Sequence, residues 1–132
     1  MKVYLAVPLR RNRNKVLSKQ IFEIVNGFGC EIVSKWIILD NPNPNLDLMG
    51  VYERDYNAIE SCDILLAETS KPSTGLGMEI MLAWLLDKKI ICVHKNKEKV
   101  SNFLLGMPEV SMLSYDNLDN LAVKLKRAIF KK

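Results

Sequence analysis

A chain of 132 residues with 48% hydrophobic and 26% charged residues has the make-up of one globular domain with a sizeable core. Its formal net charge of +4 is mild, and its apolar runs are far too short to span a bilayer. The basic residues gather at Arg10, Arg11, Arg13 and Lys15 and again over Lys95–Lys99 without interleaved aromatics. That pattern argues against a nucleic-acid groove and leaves solvated surface or a phosphate-bearing small ligand.

Lys2–Val7 is rich in β-formers and reads as a first strand closed by Pro8. It does not read as a signal segment, because Pro8 and Arg10 follow at once with no small-residue cleavage site, so the expected location is the cytoplasm. Asn12 or Asn14 can cap a helix to about Gly27, with Val16, Ile21, Phe22, Ile24 and Val25 on its apolar face. Glu31–Ile38 reads as a second strand, and Asn41–Asn45, interrupted by Pro42 and Pro44, as a loop. A helix over about Gly50–Ser61 leads to a third strand, Ile64–Glu68, near-continuously apolar as a strand covered on both faces should be. There follow a helix over Gly77–Leu86, a strand over Lys89–His94, a short helix over Lys97–Leu105, a strand over Val110–Tyr115 and an amphipathic helix over Leu118–Lys131. Strict alternation predicts the α/β class: a flavodoxin-like, Rossmann-like three-layer sandwich. Its five-stranded parallel sheet has the order 2-1-3-4-5, in a single domain over residues 1–132.

Cys30, Cys62 and Cys92 lie in or beside apolar segments without metal-like spacing and read as buried free thiols. His94 has no partner at ligand spacing, so neither a metal nor a cofactor is expected.

Ligands of such sheets bind beyond the carboxyl ends of the strands, which singles out the loops over residues 8–14, 41–45, 69–77 and 95–101. Asp55, about a turn into its helix, and Glu79, in the first turn of the helix after the third strand, are both expected at that edge. Paired carboxylates suit cleavage of a glycosidic bond, one attacking the anomeric carbon and the other handling the proton. The helix dipole would keep Glu79 ionised. Spacing alone favours a plainer account, in which Glu79 complements the dipole and Asp55 is a surface acid. The stretch Thr69–Gly77 is neither a Walker motif nor a dinucleotide fingerprint. It can hold an anion on backbone N–H groups around Gly75 and Gly77, with Ser73 as a further donor, or be an ordinary strand–helix turn. Tyr4 can orient a carboxylate or pack in the core, Arg10 can pair with a phosphate or stay solvated, and Ser101 can cap a helix or meet a ligand. Trp36, Trp84 and the methionines read as packing.

Several of these stretches together resemble the nucleoside 2-deoxyribosyltransferase superfamily. They are Tyr4-Leu5-Ala6 with Arg10, Glu53-Arg54-Asp55, the run from Cys62 to Thr69, the run from Pro72 to Glu79 and, more weakly, Lys99-Val100-Ser101. The nearest branch is that of the 2'-deoxynucleoside 5'-monophosphate N-glycosidases. The resemblance implies a flavodoxin-like homodimer with its active site near the subunit interface. It implies that Glu79 attacks C1' of the deoxyribosyl unit, that Asp55 is the acid/base and that Tyr4 positions the nucleophile. Hydrolysis through a glycosyl-enzyme would then yield free base and 2-deoxyribose 5-phosphate. Arg10, Ser73 and Ser101 match 5'-phosphate contacts, the last from across the dimer interface. The transferase branch typically carries an acid six residues before the nucleophile, where this chain has Ser73; an acid there would repel a phosphate dianion. The phosphate-specific branch often has Gly-Ser after the first strand, where this chain has Val7-Pro8. Two alternatives therefore stand beside hydrolysis: a transferase exchanging bases on unphosphorylated deoxynucleosides, and a non-catalytic nucleotide sensor on the same fold. Neither a nucleic-acid polymer nor a membrane is an expected partner.

Overall fold

Alternation along the first strand, β1 (Lys2–Ala6), sorts its side chains onto two faces. The structure, a computed structural model, describes residues 1–132. Val3 and Leu5 point to a core shared with helices α1 (Lys15–Gly27) and α5 (Leu118–Phe130). Tyr4 and Ala6 point to a second core shared with α2 (Leu48–Ser61), α3 (Thr74–Leu85) and α4 (Asn102–Leu105). Between these layers lie β1, β2 (Glu31–Ile32), β3 (Ile64–Glu68), β4 (Lys89–Lys95) and β5 (Val110–Tyr115). All four pairings are parallel and the order is β2-β1-β3-β4-β5, as the alternating elements predict. Every residue of β3 is buried, which fits its central place and its unbroken apolar sequence.

Three elements depart from the sequence reading, one of them the short helix expected over Lys97–Leu105, which covers only Asn102–Leu105 because Lys97 sits in a turn at φ 71°. The second strand covers only Glu31–Ile32, and Lys35–Ile38 is a turn of 3-10 helix. Buried Ser34 causes the break: its hydroxyl accepts from the Leu5 N–H at 2.9 Å and donates to the Leu5 carbonyl at 2.8 Å. One side chain thus satisfies both backbone groups that a longer ladder would have used, and the chain is free to turn. The turn carries Trp36 to the edge of the Tyr4 ring, with centroids 6.1 Å apart. The helix after β3 begins at Thr74 rather than Gly77, because the Ser73 hydroxyl caps it by accepting from the Leu76 N–H at 3.3 Å.

Asn14, not Asn12, caps α1. Arg13 and Lys15 of the basic cluster are structural: Arg13 donates to the carbonyls of Ile37, Leu39 and Asp40, and Lys15 pairs with Asp40. The three cysteines are free and buried, Cys62 donating from Sγ to the Ile59 carbonyl. No helix is long and apolar enough to cross a membrane.

Candidate active site

The carboxyl end of β3 is held rigidly before the chain enters α3. Buried Glu68 accepts from the Ser70 N–H at 2.6 Å and from the Tyr115 hydroxyl. Thr69 donates to the Val93 carbonyl at 3.1 Å, and Ser70 accepts from the Lys95 N–H at 2.8 Å. The loop is therefore pinned to β4 and β5, and Asn12 ties it to the β1–α1 loop by donating to the Pro72 carbonyl at 2.6 Å. This frame fixes where α3 starts and so where Glu79 points.

A cleft of about 740 Å³ opens at this edge, between the β1–α1 loop, α2 and the start of α3. Asp55, Glu79, Arg10, Ser73 and Gly75 all line it. Tyr4, buried beneath it on β1, donates its hydroxyl to Glu79 Oε2. The structure thus brings together both carboxylates, the tyrosine, the arginine and the serine singled out in the sequence. Gly77 and Ser101 are elsewhere: they line a neighbouring cavity of about 430 Å³ on the α4 side, which shares Pro72, Ser73 and Leu76 with the main cleft. Ser101 stands at the N-terminus of α4, exposed, and its side chain makes no capping bond.

The electrostatic expectation for Glu79 needs correcting. Because α3 starts at Thr74, Glu79 lies in its second turn, beyond the unpaired N–H groups of the terminus. Burial dominates instead and pushes its carboxyl up to about 7, opposed by the Tyr4 hydrogen bond, raised further by Asp55 and lowered by Arg54. Asp55 also lies deeper along its helix than expected, since α2 begins at Leu48. Burial raises its carboxyl too, opposed by the adjoining Arg54, whose Nε donates to Asp55 Oδ1 at 2.9 Å. Burial, then the charges of Glu79 and Asp55, drive the Tyr4 phenol well above its ordinary value, so it stays a proton donor to Glu79. The result is two carboxyl groups with separate partners, one on a phenol and one on a guanidinium, facing one cleft. Such a pair can divide attack and proton transfer between its members.

Tyr52, Tyr56 and Ile59 also line the cleft, although they have no part in the site as read from sequence. Tyr52 and Ile59 lie three before and four after Asp55, and that helical spacing alone places them on its face of α2. Tyr52 and Tyr56 pack as a tilted pair with centroids 5.9 Å apart. Arg11 and Asn12 join Arg10 at the β1–α1 side, and Pro8 lines the cleft where the phosphate-specific branch often has a serine.

Comparison with known proteins bears on the family and the fold. The profile of the family described as nucleoside 2-deoxyribosyltransferase matches residues 3–122. A protein of Syntrophotalea carbinolica is 32% identical over 134 aligned positions, covering 96% of this chain and 92% of its own. One of Thermofilum pendens is 30% identical, covering 95% of this chain and 92% of its own. Both carry the provisional name 2'-deoxynucleoside 5'-phosphate N-hydrolase 1. Among solved structures, the CMP N-glycosidase BcmB of Clostridium botulinum superposes with a TM-score of 0.72 at 24% identity, covering 96% of this chain and 99% of that one. At that identity the likeness is one of fold.

Proposed function

Because the chain belongs to the nucleoside 2-deoxyribosyltransferase family, we propose that it hydrolyses the N-glycosidic bond of 2'-deoxynucleoside 5'-monophosphates. The observation that carries this reading is the Tyr4–Glu79 hydrogen bond at the floor of a cleft that also holds Asp55. The names of the full-length relatives supply the substrate class.

In this reading a Glu79 carboxylate oxygen attacks C1' and the C1'–N bond breaks with its electron pair passing to the base. Asp55 gives the base its proton. The resulting ester between Glu79 and C1' is then attacked by water, which surrenders a proton to Asp55, and Glu79 leaves as a carboxylate. The products are free base and 2-deoxyribose 5-phosphate. Tyr4 orients the nucleophilic oxygen by donating to the other one. Arg10, Ser73 and the backbone N–H groups near Gly75 meet the 5'-phosphate, at the end of the cleft where the helix terminus favours an anion.

Ser101 and Gly77 face the adjoining cavity. We assign Ser101 to the phosphate site of a second copy in a homodimer. Exposed apolar side chains line both cavities, Tyr52 of α2 and Met78 of α3 in the main cleft and Phe103 of α4 in the adjoining one, and Leu48 of α2 and Leu85 of α3 are exposed on the same helices. Burying such a surface is what favours association.

Incubation with a panel of deoxynucleoside monophosphates and assay of free base tests the reading. Release from monophosphates and loss of it in Glu79→Ala is the expected result. Release from unphosphorylated deoxynucleosides alone, with a new nucleoside formed when a second base is added, would favour the transferase; Pro8 at the cleft is the observation on that side. Binding without turnover would indicate a sensor.

A further inference from the structure

Each donor direction of the Arg54 guanidinium has a different acceptor. Nε donates to Asp55 Oδ1 at 2.9 Å, Nη1 to the Pro42 carbonyl at 2.7 Å and Nη2 to Asn43 Oδ1 at 2.8 Å. Its face lies against Trp36, with Cζ 4.0 Å from the ring centroid. Trp36 in turn meets Tyr4 edge to face at 68°, and Tyr4 donates to Glu79. A surface ion pair between neighbours in sequence would need none of this, and the Arg54 side chain is only 19% exposed. A planar, rigid fork held at all three of its nitrogens fixes whatever it holds.

We propose that Arg54 is a positioning residue for the glycosidic cleavage, an inference that rests on the function proposed above. It aims Asp55 directly and, through Trp36, seats the Tyr4–Glu79 pair, with the Pro42–Asn43 loop as its anchor. Both halves of the catalytic pair are thereby tied to one side chain. A lysine keeps the charge but lacks the fork and the stacking face, so charge and position can be separated by substitution. The titratable and charged groups facing Glu79 are Tyr4 from β1 and Arg54 and Asp55 from α2. Tyr52 and Tyr56 of α2, with Arg10 and Arg11 of the β1–α1 loop, line the same cleft. Arg54 lowers the carboxyls of both Glu79 and Asp55.

The test compares wild type, Arg54→Lys and Arg54→Gln in base release from a deoxynucleoside monophosphate, with thermal melting and a 13C-carboxyl titration of Glu79. Both variants should lose kcat by about 10- to 100-fold with KM within about threefold, while remaining folded at the assay temperature. The acid limb of the rate profile should stay in place in Arg54→Lys and move to higher pH in Arg54→Gln. Wild-type kcat in both variants, a rise in KM alone, or a loss matching the unfolded fraction overturns the proposal. Should Arg54→Gln not fold, Arg54→Lys decides by kcat against KM. If wild type releases no base from any nucleotide or nucleoside, the proposed function fails. The titration then still judges the coupling through Arg54: an upward move of Glu79 in Arg54→Gln sustains it and an unchanged one removes it.

Discussion

At the scale of single residues, Glu79 sets function against stability. Its folded carboxyl is raised from the usual 4.5 to about 7, so the native state holds a proton more tightly than the unfolded chain. Stability tied to this group is present at low pH and is lost as pH rises from about 4.5 to about 7. The proposed attack on C1' needs the ionised form, so activity should rise as pH climbs toward and past about 7 while stability falls. Glu79→Gln keeps a partner for Tyr4 without the charge. It should be inactive, near wild type in stability at pH 4, and more stable by about 2–3 kcal/mol at pH 8, as read by urea denaturation at the two pH values. Ser73 allows a second test, because aspartate caps a helix as well as serine does. Ser73→Asp should therefore fold normally, yet place a carboxylate where the phosphate is proposed to sit. A rise in KM for monophosphates of about tenfold or more, with deoxynucleosides spared, is expected from steady-state assays.

Among the elements, β3 and β5 have the bounds their sequences predict, because continuous burial or flanking turn residues leave no competing structure. The second strand and the start of α3 were not legible, for one physical reason in two forms: a serine hydroxyl replaced backbone partners. Ser34 stands in for a ladder and Ser73 for a missing helical turn. Glycine also concealed the start of α3, since Thr74-Gly75-Leu76-Gly77 has poor helix propensity and reads as loop. The site was more legible than its electrostatics. Tyr4, Asp55, Glu79, Arg10 and Ser73 could be placed at one edge from topology and resemblance, whereas the burial of Glu79 and the Arg54–Trp36 stack depend on packing that no local pattern encodes. A Cβ on Gly75 would meet nothing within 4 Å, although this residue lines the cleft. Gly75→Ala should therefore stabilise α3 by up to about 1 kcal/mol while crowding the proposed phosphate site. A higher melting temperature together with a higher KM is the expected signature.

Across the whole molecule, Ser73 lines both cavities whereas Ser101 lines only the one on the α4 side, so the proposed sharing of phosphate contacts between two subunits can be tested by complementation. If Ser101 serves the other subunit, Glu79→Gln and Ser101→Glu can complement each other. In a mixed dimer one site is doubly defective, and the other has an intact Glu79 and receives an intact Ser101. Each variant alone should turn over monophosphates poorly, and mixing after dissociation and reassociation should restore up to about half of the wild-type rate per mixed dimer. Additive residual activity would place Ser101 in its own subunit's site or outside the chemistry.

The three buried thiols have a use that concerns neither substrate nor partner. Cys92 lies in central β4, Cys62 closes α2 and Cys30 sits just before the edge strand β2. Burial raises all three above the ordinary thiol value, Cys92 to about 12, so none offers a thiolate while folded. They form a set of built-in tags at three depths. Alkylation timed against denaturant, with the modified residue read by mass spectrometry, should mark Cys30 first and Cys92 only with global opening, giving the order in which this sheet comes apart.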